Sequence, residues 1–262
     1  MVRVAAPRSL AAVLLAACFG LAIPSGAPPA RAQGEEALPQ EHWSFSGPFG
    51  AFDMAAVQRG FQIYSEVCSN CHSMKQLQYR NLTAVGFTSD QVKAIAASVQ
   101  VPLGVNDQGE PILGPGTPAS TFRSPFPNEQ AARAANNGAL PPDLSVIVKA
   151  REGGPNYVYG ILTGYTDPPA GVQMQPGMNY NKYFPGHQIA MPKPLSEGQI
   201  TYADGTPNTL EQEAHDMVTF LTWAGSPEMV VRKQTGIRIV LFLLLMTGLT
   251  YGVKRKVWAQ AH

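Results

Sequence analysis

The feature that most constrains this 262-residue chain is the spacing of two cysteines. Cys68 and Cys71 have two residues between them, and His72 follows the second cysteine directly. Three kinds of site use cysteines so close together: a redox-active C-x-x-C pair, a structural zinc site, and a covalent attachment site for a c-type haem. Each requires different surroundings, so the rest of the chain decides between them.

The surroundings favour haem attachment. A redox pair belongs in a strand–helix alternation, which this sequence lacks. A structural zinc site needs four ligands, usually with a second cysteine pair, and the third cysteine, Cys18, lies in a segment expected to be removed. Cysteines at positions i and i+3 at a helix end present both sulfurs along one edge of a porphyrin, and the adjacent histidine reaches the iron. The motif therefore predicts one covalently bound haem c.

The first 32 residues have the features of a secretory signal. Two arginines precede an apolar run at 10–23, and an A-x-A cleavage site follows at 30–32. The apolar run is too short to cross a bilayer. An alternative is a lipoprotein cleavage site at 15–18, which would leave Cys18 lipidated. The later site fits well and the chain has another anchor, so we expect Cys18 to be lost with the signal.

That anchor is an apolar stretch at 236–253, whose only charge is Arg238. As a helix it would be about 27 Å long, enough to cross the hydrocarbon core. A buried core helix is the alternative, but apolar residues on all its sides argue against it. Export of the body, with the basic run at 254–256 inside, predicts a single-pass protein of the bacterial inner membrane. The expected domains are a signal peptide at 1–32, a periplasmic haem c domain at 33–231, a transmembrane helix at 232–253 and a cytoplasmic tail at 254–262.

The exported part is acidic although the whole chain is nearly neutral. Residues 33–231 contain ten of the lysines and arginines and all eighteen acidic residues, a formal net charge of −8. Such a field repels nucleic acid and attracts a basic partner, although solubility alone would also account for it. No nucleic-acid partner is expected.

The pattern of the exported part predicts a mainly α fold of short helices joined by long loops rich in Pro and Gly. The strand signal is weak throughout, and 101–128 and 164–198 are expected to be irregular. A capping box at Thr209 begins the last soluble helix, whose apolar face then follows. The other expected helices are 53–67, 89–98, 129–136, 144–152 and 156–163, with Ser89 as the expected cap of the second.

The sixth ligand of the iron would separate an electron carrier from a haem that binds small ligands. Met191 lies in "HQIAMPKPL", a loop stiffened by two prolines, which favours it as a thioether ligand. The pattern leaves three rivals open: Met174, Met178 and His187. Three other methionines are expected to fill the core: Met54, Met74 and Met217.

Several blocks of the chain resemble the cytochrome c1 family, the haem c subunit of the cytochrome bc1 complex (ubiquinol:cytochrome c oxidoreductase), in a bacterial precursor form. The block "AARAANNGALPPDLS" at 131–145 contains the highly specific run ANNGALPPDLS, whereas C-x-x-C-H alone indicates only a c-type cytochrome. The likeness covers nearly all of the mature chain. Its other blocks are "FSGPFGAFD" at 45–53, "RGFQIYSEVCSNCHSM" at 59–74, "REGGPNYVYGILTGY" at 151–165 and "YFPGHQIAMP" at 183–192.

The resemblance implies a role for each matching position. Cys68 and Cys71 would form the thioether attachments, with His72 the proximal and Met191 the distal ligand of the iron. Two residues would contact the haem propionates, Arg151 and Tyr157, and two would line the pocket, Asn136 and Pro142. Some bacterial members have an extra cysteine pair that pins a distal loop; the mature chain here lacks it.

The function implied is one-electron transfer with no bond chemistry of its own. The haem would take electrons from a Rieske iron–sulfur protein, beside cytochrome b in a dimeric complex, and pass them to a soluble basic cytochrome c. One alternative is a membrane-anchored haem c subunit of another periplasmic dehydrogenase. A second is a haem sensor or peroxidase with an open sixth position, which would bind carbon monoxide when reduced.

Overall fold

The computed structural model describes residues 36–259, so the predicted signal at 1–32, with Cys18, lies outside the described residues. The described part is mainly helical and ends in one long apolar helix, as predicted. Its helices are α1 (Met54–Glu66), α2 (Ser89–Ala97), α3 (Glu129–Ala135), α4 (Ile147–Ala150), α5 (Gly154–Thr163), α6 (Leu210–Gly225) and α7 (Met229–Trp258).

The centre of the core is the pairing of α1 with α6. Asp53 begins α1 by accepting hydrogen bonds from the backbone N–H groups of Ala55 (3.0 Å) and Ala56 (3.3 Å). The helices approach so closely at Gly60 that a methyl group there would overlap the carbonyl oxygen of Asp216. The predicted apolar face of α6 is confirmed, because all its members are buried: Ala214, Met217, Val218, Leu221 and Ala224.

Two helix starts show where capping residues were predicted well and where they were not. Thr88, not the expected Ser89, caps α2, and it forms a full capping box with Gln91. Thr209 caps α6 as predicted and accepts from the Gln212 backbone N–H at 3.2 Å. The Gln212 side chain donates to Asp216 instead of returning to the cap, so only half of the predicted box forms.

The expectation of an irregular segment at 101–128 was wrong in its first part. Strands β1 (Gln100–Val105) and β2 (Pro111–Pro115) form an antiparallel hairpin. The Asn106 side chain accepts from the backbone N–H groups of Gln108 and Glu110, which builds the turn. Prolines are tolerated because both strands of a two-stranded sheet are edges. A second, shorter pair, β3 (Asn179–Tyr180) and β4 (Gln188–Ile189), lies within the predicted loop 164–198.

Two predicted helices changed their bounds around the Gly-Gly-Pro sequence. The helix expected at 144–152 shortens to α4, because residues 142–145 are held by other contacts described below. Helix α5 begins at Gly154, with Pro155 in its first turn, where proline lacks only an N–H that would be unpaired anyway. Gly153, at φ 80°, makes the left-handed turn between them.

Helix α7 is a candidate membrane span. It has 30 residues, and its most apolar stretch has mean hydropathy 1.8 and is 0% buried. At 1.5 Å per residue it is about 45 Å long, more than the hydrocarbon core requires. The alternative of a buried core helix is excluded, since its leucines, valines and isoleucines are largely exposed.

Candidate haem site

The cysteine motif forms a tight turn directly after α1. A 3₁₀ turn occupies Cys68–Asn70. The backbone N–H groups of Cys71 and His72 both donate to the Cys68 carbonyl, at 3.2 and 2.9 Å. Within residues 36–259 both thiols are free. The two sulfurs and the imidazole therefore belong to one short, hydrogen-bonded segment, as the sequence predicted.

The surroundings of Cys68, which is half-buried, argue against a redox-active pair. Its Sγ lies 4.0 Å from the Sδ atom of Met217 on α6. Burial, with a smaller effect of Cys71, raises the pKa of the Cys68 thiol to about 12. A redox-active cysteine needs a thiolate near neutral pH, which this environment disfavours. Among the described residues, no group of three or more His, Cys, Asp or Glu side chains could hold a metal ion, so the zinc interpretation also lacks ligands there.

His72 is oriented by a backbone carbonyl. Its Nδ1 lies 2.8 Å from the carbonyl oxygen of Pro142. A carbonyl can only accept, so Nδ1 carries the proton and the Nε2 lone pair is left for a metal. Burial lowers the pKa of His72, outweighing the opposite effects of Pro142 and Asp143. A neutral imidazole with a free Nε2 is the form that an axial haem ligand requires.

Residues 142–145 fasten onto the segment that follows His72, and we call them the 142–145 clamp. The Leu144 N–H donates to the Ser73 carbonyl at 2.9 Å. The Asp143 carboxylate accepts from the Ser73 hydroxyl at 2.8 Å and from the Lys75 N–H at 2.9 Å. The Gln76 N–H donates to the Ser145 hydroxyl at 3.0 Å. The clamp therefore fixes both the imidazole and the chain beside it.

Asp143 is the important residue that sequence reasoning missed. Burial acts to raise its pKa, but hydrogen bonds from Ser145, Lys75 and Ser73 outweigh burial and lower it. The ionised carboxylate therefore anchors the clamp. Its signal was present, because an Asp that precedes Leu-Ser after two prolines is typical of a side chain that bonds nearby backbone N–H groups.

Arg151 and Tyr157 are the two residues expected to contact the haem propionates, and that role stays a prediction. Arg151 is exposed and follows α4, while Tyr157 lies half-buried in α5. The charge of Arg151 is close enough to act on the phenol: burial raises the pKa of Tyr157, and Arg151 opposes that rise. Within the described part of the chain Arg151 has no carboxylate in a salt bridge. Its guanidinium donates to the neighbouring Ala150 carbonyl at 3.4 Å. A guanidinium without a carboxylate partner, near a phenol, is suited to bind a carboxylate.

Asn136 and Pro142 lie at the two ends of one loop. Asn136 ends α3, and its side-chain amide donates to the Ala132 carbonyl at 2.7 Å. Asn137 and Gly138 follow at φ 51° and 85°, and turn the chain towards the clamp. The Pro142 ring is exposed, and its contact with the site is through its carbonyl. The resemblance implied that both residues line the pocket, which stays a prediction, and it did not indicate the contact of the Pro142 carbonyl with His72.

Met191 is half-buried and its backbone is held from two sides. Its carbonyl accepts from the Tyr165 hydroxyl at 3.0 Å and from the Asn179 side-chain amide at 3.3 Å. These bonds fix the backbone and leave the thioether uncommitted. Within residues 36–259, however, no hydrogen bond links Met191 to the His72 turn. Its role as distal ligand therefore stays a prediction.

Burial and packing contacts distinguish only some of the rival candidates for the distal ligand. Met174 and Met178 are half-buried like Met191, so burial does not distinguish the three. The ring of His187 stacks on Tyr180, which gives that histidine a packing contact of its own. Met74 and Met217 fill the core, as expected, at 0% and 1% exposure. The same expectation was wrong for Met54, which is 40% exposed because it lies on the solvent side of the first turn of α1.

A turn of Cys-x-x-Cys-His after a core helix, with an oriented imidazole, defines a cytochrome of the c type, and its C-terminal apolar helix is a candidate membrane span. The chain matches the Cytochrome C1 family over residues 43–261. It belongs to that family, which confirms the resemblance predicted from the sequence.

The relatives are bacterial and mitochondrial. The chain is 45% identical over 261 residues to cytochrome c1 of Rhodospirillum rubrum, covering 94% of this chain and 95% of that protein. It is 49% identical over 207 residues to "Cytochrome c1-2, heme protein, mitochondrial" of Solanum tuberosum, covering 79% and 80%. With "Cytochrome b/c1" of Bradyrhizobium diazoefficiens it shares 47% identity over 252 residues, covering 88% of this chain but only 37% of that longer protein.

Proposed function

We propose that this chain is the haem c subunit of a cytochrome bc1 complex and carries electrons from a Rieske iron–sulfur protein to a soluble cytochrome c. The observation that carries the proposal is the hydrogen bond from His72 Nδ1 to Pro142, which leaves Nε2 for iron. Membership of the Cytochrome C1 family supports the bc1 complex as its setting. The chain itself breaks and forms no substrate bonds.

Haem c is the cofactor that fits the turn, and when bound it supplies a one-electron iron couple. Cys68 and Cys71 would hold it through thioether bonds, and His72 would be the proximal ligand. Met191 would be the distal ligand, since a thioether raises the reduction potential and excludes small ligands. Arg151 and Tyr157 would hold the propionates, and Asn136 and Pro142 would line the pocket.

The membrane arrangement belongs to the same proposal. A signal at 1–32 would export the domain at 33–231 to the periplasm, and the helix at 232–253 would cross the inner membrane once. The tail at 254–262 would stay in the cytoplasm. Cytochrome b would lie beside this helix in a dimeric complex. The net charge of −8 on 33–231 suits brief docking of a basic cytochrome, which needs fast association more than high affinity.

Purification of the tagged full-length chain in mild detergent tests the complex. We expect cytochrome b and a Rieske protein to co-purify, with quinol-dependent reduction of cytochrome c. Recovery with a periplasmic dehydrogenase instead would contradict the proposal and support that alternative. Carbon monoxide added to the reduced protein should leave its visible spectrum unchanged; a shifted spectrum would indicate an open sixth position and a sensor or peroxidase.

A further inference from the structure

The short loop Ser46–Gly50 is tied to the first turns of α7, although helices α1 to α6 lie between them in the sequence. The Lys233 ammonium donates to the Phe45 carbonyl at 2.6 Å and to the Gly50 carbonyl at 3.4 Å. Phe45 itself is in the core, at 6% exposure. One lysine of α7 therefore holds both ends of the loop, and the loop lies beside the helix.

The loop has a fixed shape. The Ala51 N–H donates to the Ser44 carbonyl at 3.1 Å and closes its base. Gly47 adopts φ 71°, a left-handed conformation that favours glycine. A side chain at Gly50 would overlap the backbone of Phe45 and Ser46. The position of the loop tip relative to α7 is therefore set by backbone bonds and two glycines.

An apolar groove lies between this loop and the helix. It has a volume of about 330 Å³ and is lined by Pro48, Lys233, Gly236, Ile237, Val240 and Leu241. Val240 and Leu241 lie four and five residues beyond Gly236, where the apolar stretch begins. At 1.5 Å per residue that is about 6 to 8 Å into the stretch. If α7 crosses a membrane, Pro48 lies at the edge of the hydrocarbon.

The exposed residues around the groove match a phospholipid. Phe49, at the loop tip, is 84% exposed, which is unfavourable in water but typical of an aromatic ring at a membrane interface. Arg232 and Arg238, both exposed, bracket the same turns of α7 and can bind lipid phosphate. The groove and the Phe49 ring therefore offer apolar contacts to a lipid, and the two arginines offer charges to its phosphate.

We propose that the Ser46–Gly50 loop is a second membrane contact of this protein, in which Phe49 enters the lipid interface and the groove takes one acyl chain of a phospholipid. The loop would set the tilt and height of the haem domain, which a single helix alone leaves free. The proposal rests on α7 spanning the membrane, as in the proposed function.

Spin labels at single introduced cysteines test the position of Phe49. The haem protein, expressed with its anchor helix and after removal of the signal that contains Cys18, is placed in phospholipid nanodiscs. It should take up no label itself, because its two remaining cysteines are consumed by haem. Three variants are compared: Phe49→Cys, Leu244→Cys within the span, and Asp90→Cys, whose carboxylate is 91% exposed. We expect the ratio of oxygen to nickel-chelate collisions to be several-fold higher at positions 49 and 244 than at 90.

Two results at position 49 would overturn the proposal while position 244 remains in lipid. Nickel accessibility equal to that at position 90 would place the loop in water. Low accessibility to both reagents would mean that protein covers it.

A water-accessible label at position 244 would instead refute the span itself, and with it this part of the proposed function. An unmutated protein that takes up label would refute the haem attachment alone. An unchanged visible spectrum checks that each variant is folded.

Native mass spectrometry tests the groove separately. No atom lies within 4 Å of a methyl group built at Gly236 or at Gly248, so either can be enlarged without strain. Gly236→Leu fills the groove, whereas Gly248→Leu changes the same helix outside it. We expect the unmutated protein and Gly248→Leu to retain one phospholipid and Gly236→Leu to lose most of it. Equal retention in both variants would show that the groove binds no lipid.

Discussion

The orientation of one imidazole depends on a segment 70 residues further along the chain. His72 donates to the Pro142 carbonyl, and the neighbouring Asp143 accepts three hydrogen bonds that hold this segment in place. The partners of a ligand histidine tune its basicity and fix its orientation. The clamp would therefore affect the proposed iron ligand as well as folding.

We predict that Asp143→Asn lowers the free energy of unfolding by about 1–2 kcal/mol at pH 7, because an NH₂ group would face the Ser73 hydroxyl and the Lys75 N–H. The folded-state pKa of Asp143 is lowered from 3.8, so its contribution is present above that pH and is lost as pH falls through the folded-state value. The difference between variant and unmutated protein should therefore shrink in acid. Urea unfolding at several pH values measures it, and equal midpoints at pH 7 would contradict the clamp's role.

The identities of the candidate ligands could be predicted from the sequence, but the hydrogen bonds that orient them could not. Cys68, Cys71 and His72 follow from local spacing, and spacing is visible in a sequence. The partner of His72 is a backbone carbonyl, which has no residue signature at all. Asp143 lies in the specific run that precedes α4, but only the folded chain shows which N–H groups donate to its carboxylate.

At the scale of elements, α1 and α6 form the scaffold that carries the cysteine turn. A buried ion pair joins them: Arg59 donates to both carboxylate oxygens of Asp216, at 2.7 and 3.0 Å. Asp216 is fully buried, whereas the second partner of Arg59, Asp204, is 46% exposed. The inner pair should therefore matter much more than the outer one.

We predict that Asp216→Ala lowers the free energy of unfolding by about 3 kcal/mol, because the mostly buried Arg59 guanidinium would keep only its exposed partner, Asp204. Asp204→Ala is the matched control, which removes a carboxylate from the same guanidinium on its solvent side and should have a much smaller effect. Urea unfolding of both variants compares them. Similar losses would contradict the assignment of Asp216 as the structural partner.

We also predict that Gly60→Ala destabilises the protein by about 1–3 kcal/mol, although alanine favours helix formation in an isolated helix. The new methyl group would overlap Asp216 and force α1 away from α6. Gly104→Ala in β1 is the control, since a methyl group there meets no atom within 4 Å. Thermal unfolding of the two variants measures this, and a stabilised Gly60→Ala would refute the close approach.

Helical elements were predicted better than strands for a physical reason. The apolar residues of α6 recur every three or four positions, and that period predicts both helix and buried face. Strands β1 and β2 contain prolines and glycines and have largely exposed side chains, so neither alternation nor composition marks them. Their pairing depends on a turn built by one side chain, Asn106.

At the scale of the whole molecule, charge and the anchor divide the protein into two parts with different tasks. The acidic part, 33–231, would meet a soluble partner, and α7 would hold that part at the membrane. The near-neutral charge of the whole chain hides this division because the basic residues concentrate at the ends. Electrostatic steering depends on the local field that the partner meets.

We predict that the reduced protein passes electrons to a basic soluble cytochrome c at a second-order rate that falls about tenfold or more as ionic strength rises from low to physiological values. Screening weakens attraction between opposite charges, so association slows. Stopped-flow absorbance at several salt concentrations measures the rate, with a neutral cytochrome as control. A rate that does not change with salt would show that the net charge of −8 does not steer the basic partner.

The central claim is a haem held between His72 and Met191, and the visible spectrum of the oxidised protein tests it most directly. Sulfur bound to ferric iron gives a weak far-red band. We expect this band in the unmutated protein and in the controls Met174→Leu and Met178→Leu, and its loss in Met191→Leu. A band that persists in Met191→Leu and disappears in one of the controls would contradict the assignment of the distal ligand. Absence of the band from the unmutated protein would contradict a thioether-ligated electron carrier altogether.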